Sequence, residues 1–215
     1  MQYQLPNPAK YSDPIRYFRD CHGVIATALD GLESAISGAE RDGVNTYFAG
    51  HPAVRDVLYF FTNIAKIHER DEERHFFPLL RGKIKTIGFH RPNTTPAFLV
   101  KEHEELNHKA SIIAKIWQEF LLSGITTVEN EQIALQNAKD LVVAYREHIA
   151  DENDLIYKVA NDDLLTPAER IVIMAAIQDD HDEEISTEIF DFDKPDYSLP
   201  NMTSDNEEEE EEEEG

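Results

Sequence analysis

Six ionisable side chains interrupt apolar helical stripes in this sequence: His22, His68 with Glu72, His103, and His148 with Glu152. Burying one such group without a partner costs several kcal/mol or forces it to neutralise, so six in one seam imply a shared cation. Four imidazoles and two carboxylates form a borderline-hard donor set suited to ferrous or ferric iron, with manganese and zinc as competitors. The His-x-x-x-Glu spacing serves this because residues four apart lie one above the other on a helix face. His22 and His103 are 81 residues apart, and His68/His148 and Glu72/Glu152 are each 80 apart. The chain therefore reads as two copies of one unit. Two facing half-sites result, each with two imidazoles, and two glutamates available to bridge. Six protein ligands shared by two metals leave positions open for dioxygen, peroxide, nitric oxide or water.

Four long amphipathic segments must position these groups. The first opens at Ser12-Asp13-Pro14, a cap followed by proline at the first helical position, and carries Ile15, Phe18, His22, Ile25, Leu29, Leu32 and Ile36. The second is expected to start at His51-Pro52 and to stop at Gly82 after Arg81, with Val54, Leu58, Phe61, Ala65, His68, Glu72, His75 and Leu79 inward. The third carries Leu99, His103, Leu106, Ala110, Ile113, Trp117 and Phe120 and ends near Gly124. The fourth runs from about Asn130 through Ala134, Ala138, Leu141, Tyr145, His148, Glu152, Leu155 and Val159. A shorter fifth opens at Thr166-Pro167 with Glu169 placed for a capping box, and carries Ile171, Met174, Ala175 and Ile177. At ~1.5 Å rise per residue, counts from the helix ends put all six polar groups within about one turn of a common level. The expected fold is all-α: an up-down-up-down antiparallel four-helix bundle with an additional short C-terminal helix.

Composition narrows the functions. Of 215 residues, 43 are acidic and 20 basic, for a net charge of −23. Residues 191–215 hold twelve acids, including the run Glu207 to Glu214, against Lys194 alone, which leaves −12 on residues 1–190. A body this acidic offers no basic face for phosphates, so nucleic acid is not expected as a partner. Cys21 is the only cysteine, which excludes an intramolecular disulfide and a cysteine-based zinc cluster. There is no leader-like N-terminus and no run of ~18 apolar residues, so a cytoplasmic protein without a membrane partner is expected. The domain plan is an N-terminal extension over 1–12, a bundle over 13–190, and a disordered acidic tail over 191–215, whose protein partner is unspecified. Phosphate-loop, dinucleotide and Ser-His-Asp signatures are missing, which favours binding over turnover of an organic molecule.

Other candidates have plainer readings. His75 lies a full turn nearer the helix end than the ligand layer and reads as a supporting or surface group. His51 reads as a cap, His90 as a loop residue, and His181 as part of a solvated face, although Asp180 or Glu184 beside it offer an adventitious metal site. Glu69, Glu73, Glu102 and Glu147 flank the ligands but diverge from them by ~100°, so they are placed to orient ligands from behind. Glu73 is the best placed of these. Trp117, Phe61 and Tyr145 read as core, with a phenol hydrogen bond from Tyr145 near the centre.

The segments DPIRYFRDCHGVIATALDGLE, IHERDEERHFFPLL, KEHEEL and YREHIADENDLIYKVA resemble the hemerythrin-like proteins, or HHE cation-binding domains, over about residues 13–185. The most specific piece is His-x-x-x-Glu followed by Phe77-Pro78. The resemblance implies that His22, His68, Glu72, His103, His148 and Glu152 are ligands of a non-haem di-iron centre, oxo- or hydroxo-bridged, with both glutamates bridging. It implies a protein that binds or senses dioxygen or a related oxidant such as peroxide or nitric oxide. The alternatives are a peroxidase- or catalase-like, nitric-oxide-handling or ferroxidase enzyme, and a metal-stabilised interaction module. Oxygen carriers of this kind have a further histidine one turn after the third-helix ligand. Here Asn107 stands there, with His108 out of phase, which removes one imidazole and argues against stable reversible oxygen carriage.

Overall fold

The computed structural model describes residues 3–44, 52–87, 95–124 and 126–182, and among these there is helix but no strand. The long elements are α1 (Pro14–Asp42), α2 (52–87), α3 (Pro96–Ser123), α4 (128–164) and α5 (Pro167–Asp182). Side-chain acceptors start them. Asp13 accepts from the Ile15 amide, Thr95 from Phe98 and Thr127 from Asn130, each satisfying an amide that the first helical turn leaves without a partner. At α5 the expected capping box forms, with Glu169 accepting from the Thr166 amide and Thr166 from the Glu169 amide. Gly124, at φ 68°, ends α3 in the left-handed region that side chains avoid.

Neither α2 nor α4 is a uniform α-helix. The amides of Ala65, Phe77, Tyr157 and Leu165 bond carbonyls five residues back, on Phe60, Glu72, Glu152 and Ala160. Each of these π-turns inserts one residue and rotates the downstream side chains by about 100°. Two of them begin at Glu72 and Glu152, so the 80-residue repeat extends to the backbone. This corrects two expected stripes. After Glu72 the buried residues include Phe76, Phe77 and Leu80, with His75 and Leu79 only half-buried; after Glu152 they include Ile156, Tyr157 and Ala160, with Leu155 and Val159 half-buried. Nor does α2 stop at Gly82. Pro78 comes directly after a widened turn, where the hydrogen-bond ladder is already altered, and the helix continues to Ile87 because an interior glycine costs only ~1 kcal/mol.

The four long helices close a ring, α1 packing on α2, α2 on α3, α3 on α4 and α4 on α1. Their inward residues form two apolar clusters, one around Leu29, Leu58, Ile113 and Leu141, the other around Phe18, Phe76, Leu99 and Tyr157. The six polar groups lie between them. Along α1 and α3 the chain passes from the Phe18 cluster through the polar layer to the Leu29 cluster, and along α2 and α4 it passes the other way. Phe18 is central to the second of these, the lower cluster, 5.2 Å from the Phe76 ring, 5.7 Å from Tyr157 and 5.6 Å from His68.

Helix α5 covers the lower cluster with Ile173, Met174 and Ile177, while Ile171, expected inside with Ala175, is 64% exposed and Ala175 is exposed too. Two crossed pairs tie it to α2: His181 Nε2 lies 2.8 Å from Asp71 Oδ2, and His75 Nε2 lies 2.9 Å from Asp180 Oδ2. The N-terminal segment also packs on the bundle. Tyr3 lies against Phe60 and so close to Gly31 that a side chain there would collide with the Tyr3 phenol. The acidic tail, His51, His90 and Glu184 lie outside the described residues. Among those described, no helix is long and apolar enough to cross a membrane.

Candidate metal centre

All six expected groups meet in the polar layer, none more than 3% exposed. Helices α1 and α3 each contribute a single histidine, His22 and His103. Helices α2 and α4 each contribute a histidine and, one turn on, a glutamate. Both glutamates open π-turns, so each helix faces the centre with its ligands and then rotates aromatic residues into the next layer.

One group comprises His22, His68, Glu72 and Glu152, the other His103, His148 and Glu152; within each, one ligand atom per residue lies within 4.8 Å of the rest. Glu152 belongs to both. Its Oε2 is 3.1 Å from His22 Nε2 and 3.3 Å from His148 Nε2, and its Oε1 is 3.8 Å from His103 Nε2. Glu72 Oε2 stands 3.5 Å from His68 Nε2 and 3.6 Å from His103 Nε2. The imidazoles pair edge to face across each half, His22 with His68 at 4.8 Å and His103 with His148 at 4.7 Å.

Whether these residues fit a cation is tested by their unmet hydrogen bonds. His68 Nε2, Glu72 Oε2 and both Glu152 oxygens are buried without a hydrogen-bond partner. Acceptors in that state carry a desolvation cost, which a cation among them offsets. The donor set is that of a divalent or trivalent transition metal.

Without a cation the two carboxylates divide their roles. Burial, and then the charge of Glu152, hold Glu72 well above the usual carboxylate range. Burial pushes Glu152 the same way, but His148, His22 and His103 outweigh it and hold this carboxylate low. Burial, followed by His22, holds His68 low and neutral; for His103 the Glu73 hydrogen bond and the charges of Glu69 and Glu152 overcome burial and raise it. As pH falls through the raised pKa values of Glu72 and His103, a cation must displace a proton from each. Its affinity should fall about tenfold per pH unit for each proton displaced as pH drops. Chelator-competition titrations from neutral pH to roughly pH 5 should show progressive release; an affinity independent of pH would contradict this site.

The supporting groups are unequal between the halves. Glu73 Oε1 lies 2.8 Å from His103 Nδ1 and Glu102 Oε2 lies 2.9 Å from His148 Nδ1, contacts that fix the rings with Nε2 inward. By contrast, His22 Nδ1 and His68 Nδ1 have no hydrogen-bond partner. Glu69 is buried and accepts from Tyr145, at 2.6 Å, and from Asn107, whose side chain is thus engaged with this carboxylate. Burial and the adjacent carboxylates hold the phenols of Tyr145 and Tyr157 far above their ordinary value, so both are donors. Tyr157 donates to Glu72 Oε1 and stacks on His22. Its place was hidden from sequence reasoning because a regular helix would bring Leu155 and Val159 inward; the one available signal was its position 80 residues after Phe77. Glu147 is exposed, and His75 and His181 serve the α5 contact. Cys21 is buried, which pushes its thiol up and keeps it neutral.

Compared with known families, residues 13–160 match the sequence model described as the Hemerythrin HHE cation binding domain. No curated protein and no solved structure gave a match. The matched stretch contains all six candidate ligands, Tyr157, and the π-turns at Glu72 and Glu152.

Proposed function

The chain belongs to the hemerythrin HHE cation-binding domain family, and from that premise we propose that the polar layer holds two iron ions and binds or senses dioxygen or a related small oxidant such as peroxide or nitric oxide. The observation that carries the reading is the pair of donor groups sharing Glu152, with acceptors buried and unpartnered. His22, His68, Glu72 and Glu152 would hold one ion, and His103, His148 and Glu152 the other. Iron there supplies Lewis acidity and one-electron chemistry toward oxidants. The protein's own part is orientation and exclusion. Glu73 and Glu102 aim two imidazoles, while Phe18 and Phe77 wall the site with apolar surface against His68 and His103. The opposite chain directions through the two clusters support an up-down-up-down arrangement.

Asn107 bears on the kind of binding. Its amide donates to Glu69, so this position adds no imidazole, which supports reaction or sensing over reversible carriage. The second reading, a redox enzyme acting on peroxide or nitric oxide or oxidising ferrous iron, is favoured by the Tyr145–Glu69 pair, a buried phenol and carboxylate beside the His148 ring.

Elemental analysis after anaerobic purification, then optical spectra during exposure to air, tests this function. The expected result is about two irons per chain and new near-ultraviolet charge-transfer bands on oxidation. A single zinc with a silent spectrum would leave a structural metal bundle. Repeated consumption of peroxide, rather than one binding event, would select the enzyme.

A further inference from the structure

The two glutamates differ in one hydrogen-bond partner, and that partner is a single hydroxyl. Phe77 and Tyr157 occupy the same place in the two halves, 80 residues apart and five residues after Glu72 and Glu152 respectively. Their rings do the same packing, Phe77 stacked on His103 at 6.1 Å and 16°, Tyr157 on His22 at 5.2 Å and 20°. Only Tyr157 carries an oxygen. It reaches across to the glutamate of the other half and donates to Glu72 Oε1. Phe77 can make no such bond to Glu152, whose two oxygens face histidine ring nitrogens alone.

We propose that Tyr157 is a positioning residue that confines Glu72 to one donor oxygen, Oε2, and leaves Glu152 as the carboxylate that offers two oxygens across both halves. The inference rests on the metal-centre reading above. Three observations support it. Tyr157 is fully buried, and its ring is stacked on both His22 and Phe18, so the phenol is held in place. Glu72 Oε2, the oxygen that Tyr157 does not engage, faces His68 and His103. Glu152 reaches His22 and His148 through Oε2 and His103 through Oε1. The centre is therefore asymmetric in the coordination it offers, although its ligands repeat, and it departs from the expectation by resemblance that both glutamates bridge.

Infrared spectroscopy of protein labelled with carbon-13 glutamate, loaded with zinc or ferrous iron, distinguishes these modes in loaded-minus-metal-free difference spectra. Coordination through one oxygen separates the antisymmetric and symmetric carboxylate stretches widely; coordination through two oxygens brings them closer. The wild-type chain should show one pair of each kind. Tyr157→Phe should lose the wide pair and gain a second narrow one at unchanged metal content. Only narrow pairs in the wild type would overturn the proposal whether or not the variant folds. So would an unchanged spectrum in a fully loaded variant. Metal content in the same samples separates the two failures: a wild-type chain that takes up no cation overturns the metal-centre reading and this inference with it.

Discussion

Replacing Glu152 by alanine is expected to empty both halves of the centre together. Losing a group that merely orients a ligand costs roughly 10–100-fold in metal affinity. Glu152 is instead common to both donor groups, with one oxygen facing His22 and His148 and the other facing His103. The affinity loss should therefore exceed about 100-fold. It should also affect both ions, whereas a residue confined to one half would cost one. Metal content per chain after gel filtration measures it, with circular dichroism separating loss of the centre from loss of the fold. Full occupancy in the variant would show that the layer holds its cations in some other way.

The largest effect on stability is expected from Phe18→Ala. The Phe18 ring is completely buried and touches Phe76, Tyr157 and His68. Truncating such a ring costs about 3–5 kcal/mol, because the transfer energy is lost and the cavity collapses only in part. For a chain of this size each kcal/mol shifts the melting temperature by about 2–4 °C, so a drop of roughly 6–20 °C is expected in the chelated protein. The metal-loaded variant should recover part of this, since any cation bound only by the folded state stabilises it. A change below about 1 kcal/mol would mean that the lower cluster repacks freely around the gap.

What could be read from the sequence depended on helical phase. His22, His68, Glu72, His103, His148 and Glu152 were all legible, because each lies on an apolar stripe: α1 and α3 are uninterrupted, in α4 His148 and Glu152 come before the phase changes, and in α2 Phe61, Ala65 and His68 all stay buried across the turn at Phe60. Beyond Glu72 and Glu152 the same reasoning chose His75, Leu79, Leu155 and Val159, and missed Phe76, Phe77, Leu80, Ile156, Tyr157 and Ala160. Periodicity assumes a constant turn, and nothing in the side-chain pattern announces an amide bonded five residues back. The supporting carboxylates were legible as a set, but the individual contacts of Glu73 with His103 and Glu102 with His148 depend on how neighbouring helices rotate against one another. His181 was read as solvated because its partner, Asp71, is 110 residues away in the chain.

The widened turns at Glu72 and Glu152 also bear on how the chain tolerates changes in length. Within a regular stretch of α2 or α4, one residue gained or lost turns every later side chain by about 100° and would take the inward face out of the core. At a π-turn the extra residue is already present, and removing it returns the backbone to an ordinary α-helix. Upstream, the spacing from His68 to Glu72, and from His148 to Glu152, is fixed by the need to meet a common ion. Downstream, loss of the exposed Arg74 or Asp154 would leave Phe76 and Phe77, or Ile156 and Tyr157, three and four positions after their glutamate. A regular helix turns those two positions to the glutamate's own face, so the same aromatic and aliphatic side chains would still point inward. In each half, one residue of spare length marks the boundary between the part of the helix that serves the cation and the part that serves the aromatic core.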